Sequence, residues 1–399
     1  MTGPGGVAHH EGHEDHEEIS PAKAQRRQEN FLNVEIRVSE FLKPTYYVDR
    51  FGCARKRLRE KSSYSLCAFA PLRGFLLILC ALLLPFSAQA YGQEKKNLKV
   101  VFTSLAWNSE LPFRAALVRG FFKSQGLEIQ PIFVRGGPVA IASMVSGEVD
   151  FAEIGGAQAV MRSKARGLDV AIIGSISNAT NYQLVGSKSV RTVEDLKGKI
   201  VGVTGAGAFS DFATRTFLRR RGIDPDKDVT LRAIGGSALR ATALEKSIVA
   251  AAPFAPEDTV RLTRLGFPMI ANFSDSLNIP QSIVATRTEV LEKFPETSKR
   301  FLKALILGIQ FAKGNKAEAI KAGYEGGLKG ESEIVNQAYD LYAPALTADL
   351  SLNTAGFQFM LDEDKRNGLI DSKFTLDKVV NDRALKMAQH ELRAEGRLK

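Results

Sequence analysis

The side chains that most often carry nucleophilic, acid–base or metal chemistry lie almost entirely at the start of this 399-residue chain. All the cysteines fall within the first 80 residues: Cys53, Cys67 and Cys80. Four of the five histidines belong to an acidic tract at residues 9–18, where imidazole and carboxylate groups could hold a metal ion. Such a tract is usually a solvated low-complexity segment, so we expect no metal site there. The fifth histidine, His390, stands alone near the C-terminus.

Residues 61–90 have the pattern of a secretory signal peptide. Basic residues precede an apolar run at 75–86, which is shorter than the roughly 18–20 residues of a membrane-spanning helix. Ala88 and Ala90 form a small-x-small site, so we expect cleavage after Ala90, with an uncleaved anchor as the alternative. Residues 1–60 are expected to be an unassigned low-complexity extension, which a mis-assigned translation start would explain.

The chain beyond residue 90 has no cysteine and one histidine. Disulfides, thiol nucleophiles and histidine-based catalysis are therefore not expected, nor is a cofactor. Losing 12 basic and 10 acidic residues lowers the net charge from +10 to +8. The basic residues are not interleaved with aromatic ones, so no nucleic-acid partner is expected. The whole chain is 44% apolar and 25% charged, an ordinary globular composition.

From residue 98 onward, short apolar strands alternate with helices, which indicates mostly parallel α/β sheets. Ser109 is expected to cap the first helix, over residues 110–125. The pattern restarts after residue 192, and glycines recur at an offset of 96–100 residues, as at Gly126 and Gly222. The sequence therefore predicts an α/β fold of two similar lobes, each a mixed, mostly parallel sheet flanked by helices. A ligand cleft is expected between them, where the carboxyl ends of the strands meet.

Loops that follow predicted strands carry the candidate ligand contacts. In the first lobe a Trp indole offers an apolar face and one donor, although a packing role is the alternative. A Gly-Gly-Ala loop offers free backbone N–H groups before a helix, and a Ser-Asn pair offers polar side chains. The candidates are Ser104, Trp107, Asn108, Gly155, Gly156, Ala157, Ser177 and Asn178.

In the second lobe a small-residue loop at 205–209 leads into a helix, and its candidates are Ala208, Phe209 and Ser210. Backbone amides and the helix dipole could hold an anion there. The same stretch resembles a dinucleotide fingerprint, G-x-G-x-x-G/A, but Ser210 stands at the last position. A nucleotide cofactor is therefore not expected.

Acidic residues near the expected cleft argue against a simple anion site. They are Glu110, Glu153 and Glu257, against few basic groups besides Arg135 and Arg240. The sequence leaves an anion and an aromatic or amine-bearing ligand equally open.

Several stretches, in this order, resemble the periplasmic solute-binding proteins of ABC importers. The resemblance is to the nitrate, taurine, aliphatic-sulfonate and thiamine-precursor group, and covers about residues 98–395. The stretches are Gly-Leu-Glu-Ile (126–129), Arg-Gly-Gly-Pro (135–138), Ser-Gly-Glu-Val-Asp-Phe-Ala (146–152), Tyr-Gln-Leu-Val-Gly-Ser-Lys (182–188), Thr-Val-Glu-Asp-Leu-Lys-Gly-Lys-Ile-Val-Gly-Val (192–203), Ser-Ile-Val-Ala-Thr-Arg (282–287) and Glu-Val-Leu-Glu-Lys-Phe-Pro-Glu (289–296).

The resemblance implies a type II periplasmic binding fold in which the chain crosses twice between the lobes. Lobe one would comprise residues 97–183 plus 284–399, and lobe two residues 184–283. Two hinge strands would join them, with hinge positions at Gln183, Ser187, Gln281 and Thr286. Ala250 stands where the family commonly has Asp, so Phe254 and Glu257 would line that edge of the pocket.

The resemblance further implies a periplasmic, monomeric receptor that closes on a small organic molecule or anion and delivers it to a membrane permease. A ligand-sensing protein of the same fold without a transport role is the alternative. An enzyme is not expected, because pyrimidine-precursor synthases that resemble this fold depend on His and Cys, and the exported part has no Cys.

Overall fold

The computed structural model describes residues 94–134 and 136–398. The predicted extension, the signal peptide with Ala88 and Ala90, and Arg135 lie outside the described residues. Within the described ranges, no helix combines the length and apolar character needed to cross a bilayer.

Strands and helices alternate along the first two thirds of the described chain, and helices follow. The strands are β1 (Asn97–Phe102), β2 (Glu128–Phe133), β3 (Phe151–Gly155), β4 (Ala171–Ser177), β5 (Gln183–Gly186), β6 (Ile200–Val203), β7 (Thr230–Ala233), β8 (Ala251–Phe254), β9 (Met269–Asn272) and β10 (Ser282–Thr286). The helices are α1 (Trp107–Val118), α2 (Phe121–Ser124), α3 (Gly137–Val145), α4 (Gln158–Ala165), α5 (Phe209–Arg220), α6 (Ser237–Glu245), α7 (Pro256–Arg264), α8 (Thr288–Lys293), α9 (Pro295–Gly314), α10 (Lys316–Glu325), α11 (Ser332–Tyr342), α12 (Thr354–Arg366) and α13 (Arg383–Ala394).

The strands form two five-stranded sheets of equivalent topology, which confirms the predicted fold class. The first has the order β2-β1-β3-β10-β4 and the second β7-β6-β8-β5-β9. In the first sheet β1 pairs in parallel with β2 and β3, whereas β10 is antiparallel to β3 and β4. In the second, β6 pairs in parallel with β7 and β8, whereas β5 is antiparallel to β8 and β9. We call these sheets, with their helices, the first and second lobes.

The chain crosses between the sheets at residues 178–182 and 273–281, which we call the crossing segments. Gln183 and Gln281 lie at these crossings. The crossings lead into the first residues of β5 and β10, so Ser187, which follows β5, and Thr286, which ends β10, lie at the strand ends away from them. Gln183 belongs to the second sheet and Ser282 to the first, within two residues of the predicted lobe boundaries.

The apolar interior is continuous between the two sheets. One cluster contains Val101 of the first sheet and Val201 of the second, together with Phe209 at the start of α5. Helix α12 adds Phe357 and Met360 to the same cluster. The lobes therefore share buried surface along one side while their strand ends face each other.

A second cluster lies between the first sheet and the helices α1 and α9. The rings of Phe151 and Phe301 stack there with centroids 4.1 Å apart. The two helices come close at Gly308, where an added Cβ would lie 2.4 Å from the carbonyl oxygen of Pro112 and 2.6 Å from Cβ of Ala116. Glycine at this position is what lets the backbones approach.

We predict that Gly308→Ala destabilises the protein although alanine favours helices. The added methyl must displace the backbone of α1, and overpacking of this kind costs about 1–3 kcal/mol. Gly314→Ala, at the exposed end of the same helix with no atom within 4 Å of the position that its Cβ would take, is the matched control. It is expected to leave the free energy of unfolding unchanged or raise it by up to about 1 kcal/mol. Urea denaturation of both variants measures the difference, and equal effects would contradict the prediction.

Candidate ligand-binding cleft

The loops at the carboxyl ends of the two sheets touch each other, so the cleft between the lobes is closed. Gly156 follows β3 and has a φ of +75°, and a Cβ added to it would lie 2.4 Å from Cδ2 of Phe209 in the second lobe. Nη1 of Arg162 in α4 donates to the carbonyl oxygen of Gly207 at 3.4 Å. Glu257, in the first turn of α7, accepts the backbone N–H of Trp107 at 3.1 Å on its Oε1.

Gln281 ties both crossing segments to the first lobe. Its Oε1 accepts the hydroxyl of Thr180 at 3.0 Å and the backbone N–H of Asn181 at 2.7 Å. Its carbonyl oxygen accepts the backbone N–H of Gly156 at 2.7 Å. The residue is 4% exposed, so this network sits inside the protein, directly beneath the contact between the lobes.

Buried side-chain atoms without a hydrogen-bond partner concentrate around these contacts. An unpaired polar atom in the interior costs about 1–3 kcal/mol, so a concentration of them marks a place where a ligand or water is needed. Within the described residues the atoms at or near the cleft are Asn108 Oδ1, Glu110 Oε1, Glu153 Oε2, Gln158 Nε2, Asn181 Nδ2, Gln183 Oε1, Glu257 Oε2 and the Tyr342 hydroxyl.

Two of the carboxylates are buried side by side in the first lobe. Burial, and after it the carboxylate of Glu153, raises the pKa of Glu110 to about 8, although the Arg114 guanidinium, 2.8 Å away, opposes both. Burial also raises the pKa of Glu153 to about 7, against a hydrogen bond that Ser282 Oγ donates to its Oε1 at 2.6 Å. Both groups therefore exchange protons near neutral pH.

Glu257 brings a third carboxylate from the second lobe. Burial and the nearby Asp258 raise its pKa to about 7, while the backbone N–H groups of Trp107 and of Glu257 itself oppose the shift. Because α1 and α7 both begin here, two helix N-termini meet at this carboxylate, and their dipoles favour its charged form.

Aromatic side chains and one buried cation complete the surroundings. The ring of Tyr182, in the first crossing segment, lies 5.8 Å from that of Phe209, and burial raises the pKa of its hydroxyl. Arg240 is 2% exposed, and Nη1 donates to Thr204 Oγ1 and to the Gly235 carbonyl oxygen, both at 2.7 Å. This guanidinium therefore joins the strand ends of the second lobe.

Three predicted contacts meet between the lobes: Gly156, Phe209 and Glu257. Asn108 bonds Asn181 in the first crossing segment, and Ala208 is the N-cap of α5, next to Phe209. The backbone of Trp107 also lies between the lobes, but its indole is 1% exposed and packs at 5.0 Å from the ring of Tyr324, with Nε1 donating to the Lys329 carbonyl oxygen. This is the packing role that the sequence left open. Helix α1 begins at Trp107 with Ala106 as its N-cap, so the expected cap at Ser109 was wrong.

Other predicted contacts make bonds within one lobe. Ser210 Oγ accepts the backbone N–H of Thr204 at 2.9 Å, and Ser177 Oγ donates to the Ala179 carbonyl oxygen at 2.8 Å. Asn178 Nδ2 donates to the Ser351 carbonyl oxygen at 2.7 Å. The remaining positions are at strand or helix ends: Ser104, Gly155, Ala157 and Phe254.

Sequence reasoning missed Gln158, Asn181 and Tyr182. Asn181 and Tyr182 lie in the first crossing segment, shortly after the predicted contacts Ser177 and Asn178, and the run of polar residues there was a local signal that extended to them. The described residues contain no group of three or more His, Cys, Asp or Glu side chains placed to hold a metal ion.

The buried carboxylates predict a stability that falls as the pH rises. Each is held protonated in the folded protein up to pH 7 or 8, but titrates near 4.5 when unfolded. Between these values the folded state binds more protons than the unfolded state, so the free energy of unfolding decreases with increasing pH. Glu153→Gln, neutral throughout, should remove about 2–3 kcal/mol of this decline between pH 4.5 and 8.

Chemical denaturation of ligand-free protein across that pH range measures the effect. Glu128→Gln, at an exposed position on the edge strand β2, is the control and should keep the wild-type pH profile. A Glu153→Gln profile as steep as the wild type would show that Glu153 does not carry the penalty.

Comparison with known proteins agrees with this architecture. Residues 107–319 match the family described as NMT1/THI5 like. The riboflavin-binding protein RibY of Chloroflexus aurantiacus is 22% identical over 253 residues, covering 60% of this chain and 71% of that protein.

Two solved structures share the fold. The alkanesulfonate-binding protein SsuA of Xanthomonas axonopodis pv. citri, bound to MOPS, has a TM-score of 0.62 at 17% identity, covering 73% of this chain and 99% of SsuA. The nitrate-binding protein NrtA of Synechocystis PCC 6803 has a TM-score of 0.63 at 14% identity, covering 77% and 91%. With the family match extending over more than half of the sequence, the chain belongs to the NMT1/THI5-like family and has the type II periplasmic binding-protein fold.

Proposed function

We propose that this protein is an extracytoplasmic receptor that captures a small organic molecule between its lobes and delivers it to an ABC permease. One observation carries the proposal: unpartnered buried polar atoms from both lobes converge where the lobes meet. The cost of burying them is recovered when a ligand supplies the missing hydrogen bonds. The protein–ligand contacts proposed are Asn108, Gly156, Asn181, Phe209 and Glu257.

The relatives support a binding role but differ in what they bind. Riboflavin, an alkanesulfonate buffer and nitrate appear in the names of the similar proteins. A family of one fold with such different ligands places its specificity in the loops at the strand ends, which here are the loops described above.

A ligand screen tests the proposal. Riboflavin, MOPS, nitrate, amines, aromatic acids and amino acids are added to the full-length chain, and the melting temperature is measured. A ligand at a hundred times its dissociation constant adds about 2.7 kcal/mol to the stability of the folded state. A saturable rise in melting temperature with no turnover of the ligand is expected, and well-folded protein that responds to none of these classes would contradict the receptor function.

We predict that Gly156→Ala weakens ligand binding by about tenfold or more, which corresponds to 1.4 kcal/mol. The new methyl group must push away the ring of Phe209 on the opposite lobe, so the closed form is disfavoured. Isothermal titration with the ligand that the screen identifies measures the loss, and small-angle scattering of the complex should show a larger radius of gyration.

Gly167→Ala is the matched control. Gly167 also has a positive φ, +88°, but no atom lies within 4 Å of the position its Cβ would take. Both variants carry the strain of a left-handed backbone, roughly 1–2 kcal/mol. Only Gly156→Ala should change affinity, and equal losses in both variants would show that strain rather than closure is responsible.

A further inference from the structure

We infer that the cleft selects a ligand that donates hydrogen bonds from nitrogen, such as a protonated amine or amidine, and that Glu257 of the second lobe is the selecting residue. This inference rests on the proposed function, because it names the ligand class of the same cleft. Two observations carry it: where the Glu257 carboxylate lies, and which kinds of atoms around it lack partners.

The Glu257 carboxylate occupies the N-terminus of α1. Its Oε1 accepts the N–H of Trp107, the first residue of that helix, at 3.1 Å. Free N–H groups and the helix dipole make a helix N-terminus a binding place for anions. Here a side chain of the opposite lobe already fills that place, so an anionic ligand at α1 would have to displace Glu257 or lie beside its charge.

The second oxygen of the same carboxylate, Oε2, is buried and has no partner. Two amide side chains, each 2% exposed, also end in unpartnered oxygens near it. Asn108 is next to Trp107 in α1 and donates through Nδ2 to Asn181 at 2.9 Å, which leaves its Oδ1 free. Gln183 pairs with Phe254 in the second sheet, three residues before Glu257.

Acceptors outnumber donors in this set. Of the eight unpartnered atoms at or near the cleft, five are oxygens of carboxylates or amides and two are the amide nitrogens of Gln158 and Asn181. The eighth is the Tyr342 hydroxyl, which can donate or accept. At pH 8 the Glu257 carboxylate is mostly ionised, because its pKa is about 7, and an ionised carboxylate only accepts hydrogen bonds. A ligand with N–H groups supplies what these oxygens lack, whereas a fully deprotonated oxyanion supplies only more acceptors.

Arg240 does not offer an alternative anion site. Its donors are directed to acceptors of the protein: the Pro253 carbonyl oxygen at 3.2 Å, Ser237 Oγ at 3.2 Å, and the two partners in the strand-end loops described above. An anionic ligand would have to compete with these bonds, which join the ends of three strands.

Aromatic probes of similar size, with nitrate as a small anion, test the ligand class. Benzylamine and benzamidine are compared with benzoate, benzenesulfonate and nitrate by thermal shift and isothermal titration on the full-length chain at pH 8, where Glu257 is ionised. Binding of the nitrogen compounds at least about tenfold tighter than the anions is expected, given about 1.5–3 kcal/mol for hydrogen bonds to a charged group.

The outcomes separate the two proposals. Tighter binding of the anions would overturn the inference and leave the receptor function standing. A response to riboflavin or another compound of the broader screen, but not to the nitrogen probes, would also overturn the inference and leave the receptor function standing. The absence of any response in both screens would overturn both.

Glu257→Gln tests the selecting residue. Glutamine keeps an oxygen for the N–H of Trp107 but replaces the free Oε2 with a donor. The nitrogen probes should therefore lose about tenfold or more in affinity, while the affinity for the oxyanions should stay the same or rise. Glu245→Gln, an exposed position at the end of α6, is the matched control and should leave both affinities unchanged.

A comparison of the two probe classes excludes a purely structural role. If Glu257 only held the lobes together, Glu257→Gln would weaken both probe classes equally, and the ratio of their affinities would not change. That result would overturn the assignment of Glu257, and a ratio lowered by about tenfold or more would support it.

Discussion

The carboxamide of Gln281 is the interaction on which the cleft depends. It holds the first crossing segment against the second, and the adjoining carbonyl group holds the loop after β3. A buried amide with several partners resists replacement, because any apolar substitute leaves the donors of Thr180 and Asn181 unpaired. The positions of Gly156 and Asn181, and with them the contact between the lobes, therefore depend on one residue.

The buried glutamates of the cleft lower the stability of the folded protein. The charged form of each carboxylate would be more stable in water, so burial moves the pKa values toward or above neutrality. The residues are Glu110, Glu153 and Glu257. Perturbed carboxylates of this kind cluster at functional sites, where a bound partner offsets the cost of burying them. Glu257 lies at the N-termini of both α1 and α7, which favour its charged form, whereas Glu110 lies in the first turn of α1 alone.

The architecture was largely predictable from the sequence, and the site only in part. Glycines that end helices and begin loops recur with the same spacing in both lobes. This spacing predicted the repeat correctly, because glycine is placed by the backbone geometry of the turns. The crossings could not be placed exactly, since nothing local distinguishes an antiparallel strand inserted from the other side of the molecule. The indole of Trp107 shows the limit for side chains: its position depends on the space left by Gly323, which is 216 residues away.

The insertion of β10 between β3 and β4 also sets the order in which the two sheets can be completed. All five strands of the second sheet are contiguous in the chain, from β5 to β9, whereas β4 joins the first sheet solely through β10. Until residue 286 is available, β3 has an unpaired edge and β4 has no neighbour in its sheet. Unpaired edges are templates for misassociation, and long-range pairing is slow. During synthesis from the N-terminus, all strands of the second sheet are therefore available before those of the first. The first sheet lacks β10 from the end of β4 at Ser177 until Thr286, an interval of more than a hundred residues.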